Sequence, residues 1–202
     1  MQQPAKNLRN IKREGFKNIA FNYLYILAGT VSRDRGIALN MLSVGNNSDI
    51  AKQALLYHIC NLYINQTGEN TDVFPYEDTK RGGLILFSEK IATRINDLLA
   101  SEKFKQALEK SDPSLLTGEE AFSYLLGVFI ENMNHQQLYF YNNLHQFYLV
   151  HAMLMQCSGM NDSITTKTTF LRPTTYSILL NNDHPLLPAI RQAINTIENI
   201  DS

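Results

Sequence analysis

Residues 132–161 read NMNHQQLYFYNNLHQFYLVHAMLMQCSGMN, thirty consecutive positions without an Asp, Glu, Lys or Arg. A helix face washed by solvent ordinarily carries charge, so a span this bare is expected to be shielded on most sides. Its periodicity predicts a helix from about 135 to 156, stopped by Gly159. Two covers fit. One is the rest of this chain, since hydrophobic stripes usually face a core. The other is a second protein, because interfaces favour Tyr, Phe and Met and are poor in charge. Tyr139, Tyr141, Phe147, Tyr148, Met153 and Met155 are the candidate partner-binding residues, an aromatic and Met helix surface whose flexible thioethers suit varied sequences. A membrane span fits badly, because the Asn, Gln and His residues of the stretch are costly in lipid.

Upstream of this stretch, Thr117-Gly118-Glu119-Glu120 has the form of a capping box, in which the Thr117 hydroxyl accepts from the third helical amide and Glu120 reaches back to the cap. The helix it opens presents Phe122, Leu126, Phe129 and Met133. Pro113 separates it from an amphipathic region, 84–110, expected to be helical in one or two pieces. Residues 66–83 carry Gly68, Pro75, Gly82 and Gly83 with five charged side chains between Asp72 and Arg81, and read as a surface loop able to add polar specificity. A helix before them runs to about Asn65, with Ser48 or Asp49 as its cap and Gly68 at its end, after a turn at Gly45-Asn46-Asn47. The N-terminal residues 5–31 read as one long or broken helix with Gly15 as a weak point, semi-independent of the remainder.

Downstream, the β-branched run 164–171 and the segment 174–180, separated by Pro173, read as two short strands. Asp183 can cap a terminal helix whose stripe is Ile190, Ile194 and Ile197, with Pro185 in its first turn. The fold class is therefore mainly α, a single helical domain over 1–202 with a small two-stranded β element near residues 164–180. The alternative is α+β. A chain of 202 residues with 44 % hydrophobic and 18 % charged residues is long enough to bury one full core.

Charge is unevenly placed. Lys6, Arg9, Lys12, Arg13 and Lys17 against Glu14 give the first 17 residues a net +4, although the whole chain is −1. Such a basic arm can touch nucleic acid or an anionic membrane, but a solvated helix face is the favoured reading, since no aromatic and basic interleaving accompanies it. The apolar run 19–31 is interrupted by Asn22, Tyr23 and Tyr25 and falls short of the about 18 residues that span a bilayer, so neither a cleaved leader nor an anchor is expected.

No motif for catalysis stands out, and the chain is read as non-enzymatic, with no cofactor and no metal; the alternative is a divergent effector enzyme without a readable motif, in which folding brings His145 or His151 to a carboxylate. Of the five histidines no two have metal-ligand spacing on a helix, and the pair Glu131 and His135 stands without carboxylates on a neighbouring stretch. Cys60 and Cys157 lie in apolar runs and read as small buried hydrophobes of a reduced, cytoplasmic compartment. Gly82-Gly83 lacks the lysine of a phosphate loop.

The chain has 20 Asn, small size, two cysteines read as reduced and a helical texture with no readable active site. In general appearance, and through no motif, it resembles the chaperone-like adaptor subunits of bacterial Dot/Icm type IVB secretion coupling complexes. The resemblance implies a role as accessory subunit, so another protein chain in a hetero-complex is the expected partner. It transfers no functional residue.

Overall fold

A computed structural model describes residues 8–13, 16, 19–31, 41–42, 50–78, 83–132, 137–158, 164–170 and 172–200. At its centre lies α6 (Gly118–Glu131), in which Gly118 and every residue from Ala121 to Ile130 are buried. The capping box that opens it is formed as expected: the Glu120 amide donates to the Thr117 hydroxyl at 3.2 Å, and the Thr117 amide donates to the Glu120 carboxylate at 2.7 Å. This helix, and not the charge-free one, is the one the chain wraps.

The N-terminal region is two short helices, α1 (Leu8–Arg13) and α2 (Tyr23–Thr30). Asn22 caps α2, its side chain accepting from the Tyr25 amide, while its own amide donates to Ser123 Oγ of α6 at 3.0 Å. Where residues 5–31 are described, Leu8 and 25–28 are buried in the same apolar cluster as α6, and Ile11 is buried as well. On the other side, α3 (Ile50–Thr67) ends at Gly68, whose φ of +66° costs a glycine nothing. Buried Lys52 of α3 reaches the C-terminus of α6, where its Nζ lies 2.8 Å from a Glu131 carboxylate oxygen and donates to the Glu131 carbonyl. The expected caps Ser48 and Asp49 and the turn at 45–47 lie outside the described residues.

The region read as loop then helix contains a hairpin instead. Strands β2 (Phe74–Asp78) and β3 (Gly83–Phe87) pair antiparallel, with Phe74 opposite Phe87, and the short β1 (Met41–Leu42) adds to the other edge of β3. Five residues are too few to separate a strand from a helical turn by periodicity, and cross-strand pairing decided it. The helical region follows in two pieces, α4 (Glu89–Ala100) and α5 (Glu102–Lys110), hinged at Ser101, which accepts from the Phe104 amide as the cap of α5.

The largest departure from the sequence reading lies inside the charge-free stretch. Residues 137–141 are not helical; they form β4 (Gln137–Tyr141), and α7 begins only at Leu144 and runs to Ser158. Two adjacent asparagines make the change of course. Asn142 takes a left-handed φ of +49°, which Asn tolerates, and exchanges hydrogen bonds with Thr174, its amide to the Thr174 carbonyl and its side chain accepting from the Thr174 amide. Asn143 then caps α7 by accepting from the Gln146 amide at 3.2 Å.

The two strands expected near 164–180 are present as β5 (Ile164–Thr169) and β6 (Thr175–Leu180), but β4 makes the sheet three-stranded, in the antiparallel order β4-β6-β5. The terminal helix α8 (Leu186–Glu198) buries Ile190 and Ile197, and Ile194 packs against the core half-buried. Its N-cap is Pro185 without a side-chain bond, not Asp183; His184 Nδ1 accepts from the Leu186 amide. The fold is mainly α, with two small antiparallel sheets.

Candidate functional site

Alternation along β4 puts Leu138 and Phe140 inward and Tyr139 and Tyr141 outward. Directly opposed residues share a face, so the register builds the outer face in three rows. Gln137, Leu179 and Thr165 form the first; Tyr139, Ser177 and Lys167 the second; Tyr141, Thr175 and Thr169 the third. The inner face packs on α7 through Phe147, whose ring lies 5.9 Å from Phe140 and 5.5 Å from Tyr176.

On the outer face the rings of Tyr139 and Tyr141 lie nearly parallel, 14° apart with centroids separated by 6.4 Å. They are 36 % and 42 % exposed, and Leu179 in the adjacent strand is 39 % exposed. Polar groups hold Tyr139 in place. The Tyr139 hydroxyl donates to Gln137 Oε1 at 3.0 Å, Gln137 Nε2 donates to Ser177 Oγ at 2.8 Å, and the Tyr139 amide donates to Asn132 Oδ1. Lys167 carries the one charge in the three rows. The face thus offers rings, an aliphatic chain, hydroxyls and an amide, a composition suited to an uncharged, partly apolar contact.

The six residues singled out in the sequence do not form one surface. Tyr139 and Tyr141 belong to the outer face of the sheet. Tyr148, 48 % exposed, sits on α7, the helix that covers the inner face, so the sheet stands between it and the other two. Phe147 at 7 % and Met153 at 0 % exposure are interior, which corrects their reading as contact residues: one turn of α7 points at the sheet and the next at the core. Met155 is half-buried on the same helix. Sequence reasoning missed Leu179, Gln137 and Ser177. The signal that would have found them was the asparagine pair at 142–143, a turn followed by a cap.

No family model, no curated protein and no solved structure matches this chain.

Both cysteines are buried and neither is in a disulfide, and desolvation pushes the Cys60 thiol up to about 12, so it stays protonated. His58 Nε2 lies 2.9 Å from the Ile197 carbonyl and ties α3 to α8. His151 stacks on Phe147, and burial lowers its pKa. Among the described residues no three His, Cys, Asp or Glu converge as a metal site, and no helix is long and apolar enough to cross a membrane. Of the basic arm, Arg9 is exposed on α1; Lys12 and Arg13 belong to that helix, while Lys6 and Lys17 lie outside the described residues.

Proposed function

We propose that this protein acts by docking to another protein chain through the outer face of the β4-β6-β5 sheet, as an adaptor or accessory subunit of a larger assembly. The observation that supports it most is the near-parallel Tyr139–Tyr141 pair, exposed on a face with a single charge, with the Tyr139 hydroxyl held by Gln137. Fixed aromatic rings lose little conformational freedom on contact and are the usual anchors of an interface. Leu179 extends the apolar patch, and the hydroxyls and amide around it supply a polar rim. An accessory place in a bacterial secretion coupling assembly is the form of this reading that the chain's general resemblance implies.

The test is affinity capture from the source cells with the full chain as bait, beside the double variant Tyr139→Ala with Tyr141→Ala. A stoichiometric partner is expected on the native chain and a loss of on the order of tenfold or more in affinity on the variant, with the thermal midpoint almost unmoved. Equal capture by both chains removes the sheet face from consideration.

A further inference from the structure

Among the described residues the two sheets have β1 and β2 as the edge strands of one and β4 and β5 as those of the other. An edge presents unpaired amides and carbonyls, and proteins that stay apart blunt it with a short strand, a proline or a covering group. The first three edges are blunted in these ways. β1 has two residues, and β2 carries Pro75, which has no amide to donate. The open side of β4 is met at its centre by Asn132, whose side chain accepts from the Tyr139 amide at 3.0 Å. β5 differs: it runs from Ile164 to Thr169 without a proline, and its four central residues are exposed.

The register tells which backbone groups of β5 are open. In an antiparallel ladder alternate residues turn their amide and carbonyl to the same neighbour. The Asn142 amide donates to the Thr174 carbonyl at 2.8 Å, so the residues of β6 in step with Thr174, from Tyr176 to Leu180, face β4. Thr175, Ser177 and Leu179 then face β5 and bond Thr169, Lys167 and Thr165. The outward position of the Tyr139 amide on β4 agrees with this alternation. On β5 the amides and carbonyls of Ile164, Thr166 and Thr168 are therefore turned away from β6. Lys167, the one charged residue of the strand, turns its carbonyl inward, where it accepts from the Ser177 hydroxyl at 3.5 Å.

We propose that β5 pairs with β5 of a second copy of this chain, antiparallel about a two-fold axis, and joins two sheets into one. An added strand must itself bring an open edge, and β5 is the strand among the described residues that has one, so the edge is its own complement. Centring the axis on Thr166 sets Thr166 opposite Thr166, Ile164 opposite Thr168 and Lys167 opposite Thr165, and closes about six N–H···O bonds between the open groups. The next register, centred on Lys167, would oppose two ammonium groups and is disfavoured. With the axis on Thr166, Phe170, 85 % exposed just beyond β5, falls diagonally across from Ile164 of the second copy, within reach of an aromatic side chain. The pairing uses the edge of the sheet and does not rest on the docking proposal for its outer face.

The test is sedimentation velocity of the full chain from about 1 to about 200 µM in about 50 mM salt. A monomer–dimer equilibrium is expected for the native chain. Thr166→Pro and Thr168→Pro each remove an amide that faces away from β6, a position at which an edge strand accepts proline, and should weaken dimerisation ~10-fold or more with the thermal midpoint near native. Thr165→Glu places a carboxylate opposite Lys167 of the second copy, on both sides of the axis, and should tighten the dimer ~3-fold or more, a gain lost in about 500 mM salt. A chain that stays monomeric throughout, a dimer untouched by both prolines, or a Thr165→Glu dimer no tighter than the native one overturns the proposal. Thr165→Glu alters no backbone group, so its result decides even where a proline lowers the midpoint. A monomer that instead takes up a strand of a different protein, lost in Thr166→Pro, overturns the proposal as well and assigns the edge to a hetero-partner.

Discussion

Gly29 of α2 and Gly127 of α6 face each other where the two helices cross, so closely that neither position has room for a methyl group. A Cβ on Gly127 would lie 1.9 Å from the Ile26 carbonyl oxygen, and one on Gly29 would lie 2.2 Å from that of Tyr124. The obstructing atoms are backbone, which cannot rotate away as a side-chain tip can. The approach also sets Tyr25 against Glu120, its hydroxyl donating to a carboxylate oxygen at 3.0 Å.

Gly127→Ala must therefore push α2 off the central helix. A loss of at least ~2–3 kcal/mol is expected from such overpacking, or a fall of on the order of 5–10 °C in the thermal midpoint for a chain of this size. The same substitution at Gly68, which has open space around it, meets only the strain of its positive φ. Thermal denaturation of Gly127→Ala checks this, and a native midpoint would mean the helices do not cross there.

Phe147 and Tyr148 are adjacent in the sequence and have opposite expectations. Phe147→Ala removes a ring wedged among Phe140, Tyr176 and His151 and is expected to cost ~3–5 kcal/mol. Tyr148→Ala, on an exposed flank of α7, should stay within ~0.5 kcal/mol of the native chain. Urea unfolding of the two variants separates them.

Stability should fall toward acid in two stages. Burial lowers the pKa of His151, so the unfolded chain binds that proton more readily; the stability contributed is whole above the unfolded value near ~6.5 and is lost as the pH falls below it. Burial alone would raise the Glu120 carboxyl, but hydrogen bonds from the Lys103 ammonium, the Thr117 amide and the Tyr25 hydroxyl hold it below the usual range. Its contribution is whole above the unfolded pKa near ~4.3 and is lost as the pH falls through the lower folded value. Thermal midpoints measured from pH 8 downward should decline in both windows. His151→Phe should flatten the upper one and Glu120→Gln the lower; an unchanged profile in either variant would remove that group as the cause.

These sites differ in how far the sequence announced them. The capping box at Thr117 and Glu120, the strand pair after Ile164 and the burial of both cysteines were legible because each depends on neighbours within a few residues or on a single residue's chemistry. The hairpin at 74–87 and the strand at 137–141 were not, since a five-residue aromatic run fits a helical turn and a strand equally until something pairs with it.

The absence of charge in residues 132–161 pointed to a shielded segment, and among its described residues Leu138, Phe140 and the core side of α7 are interior while Tyr139, Tyr141, Leu144 and Tyr148 are exposed. Local sequence also determined where α6 starts and where α3 stops, because a cap and a left-handed glycine act within one turn. Which ring faces water was decided elsewhere. Tyr139 and Phe140 are successive aromatic residues, and only the register with Ser177 and Tyr176 of β6 assigns one to the outer face and the other to the core. A strand turns its side chains by alternation, so the choice between two neighbours waits for a partner distant in the chain, and no window of local sequence contains that partner.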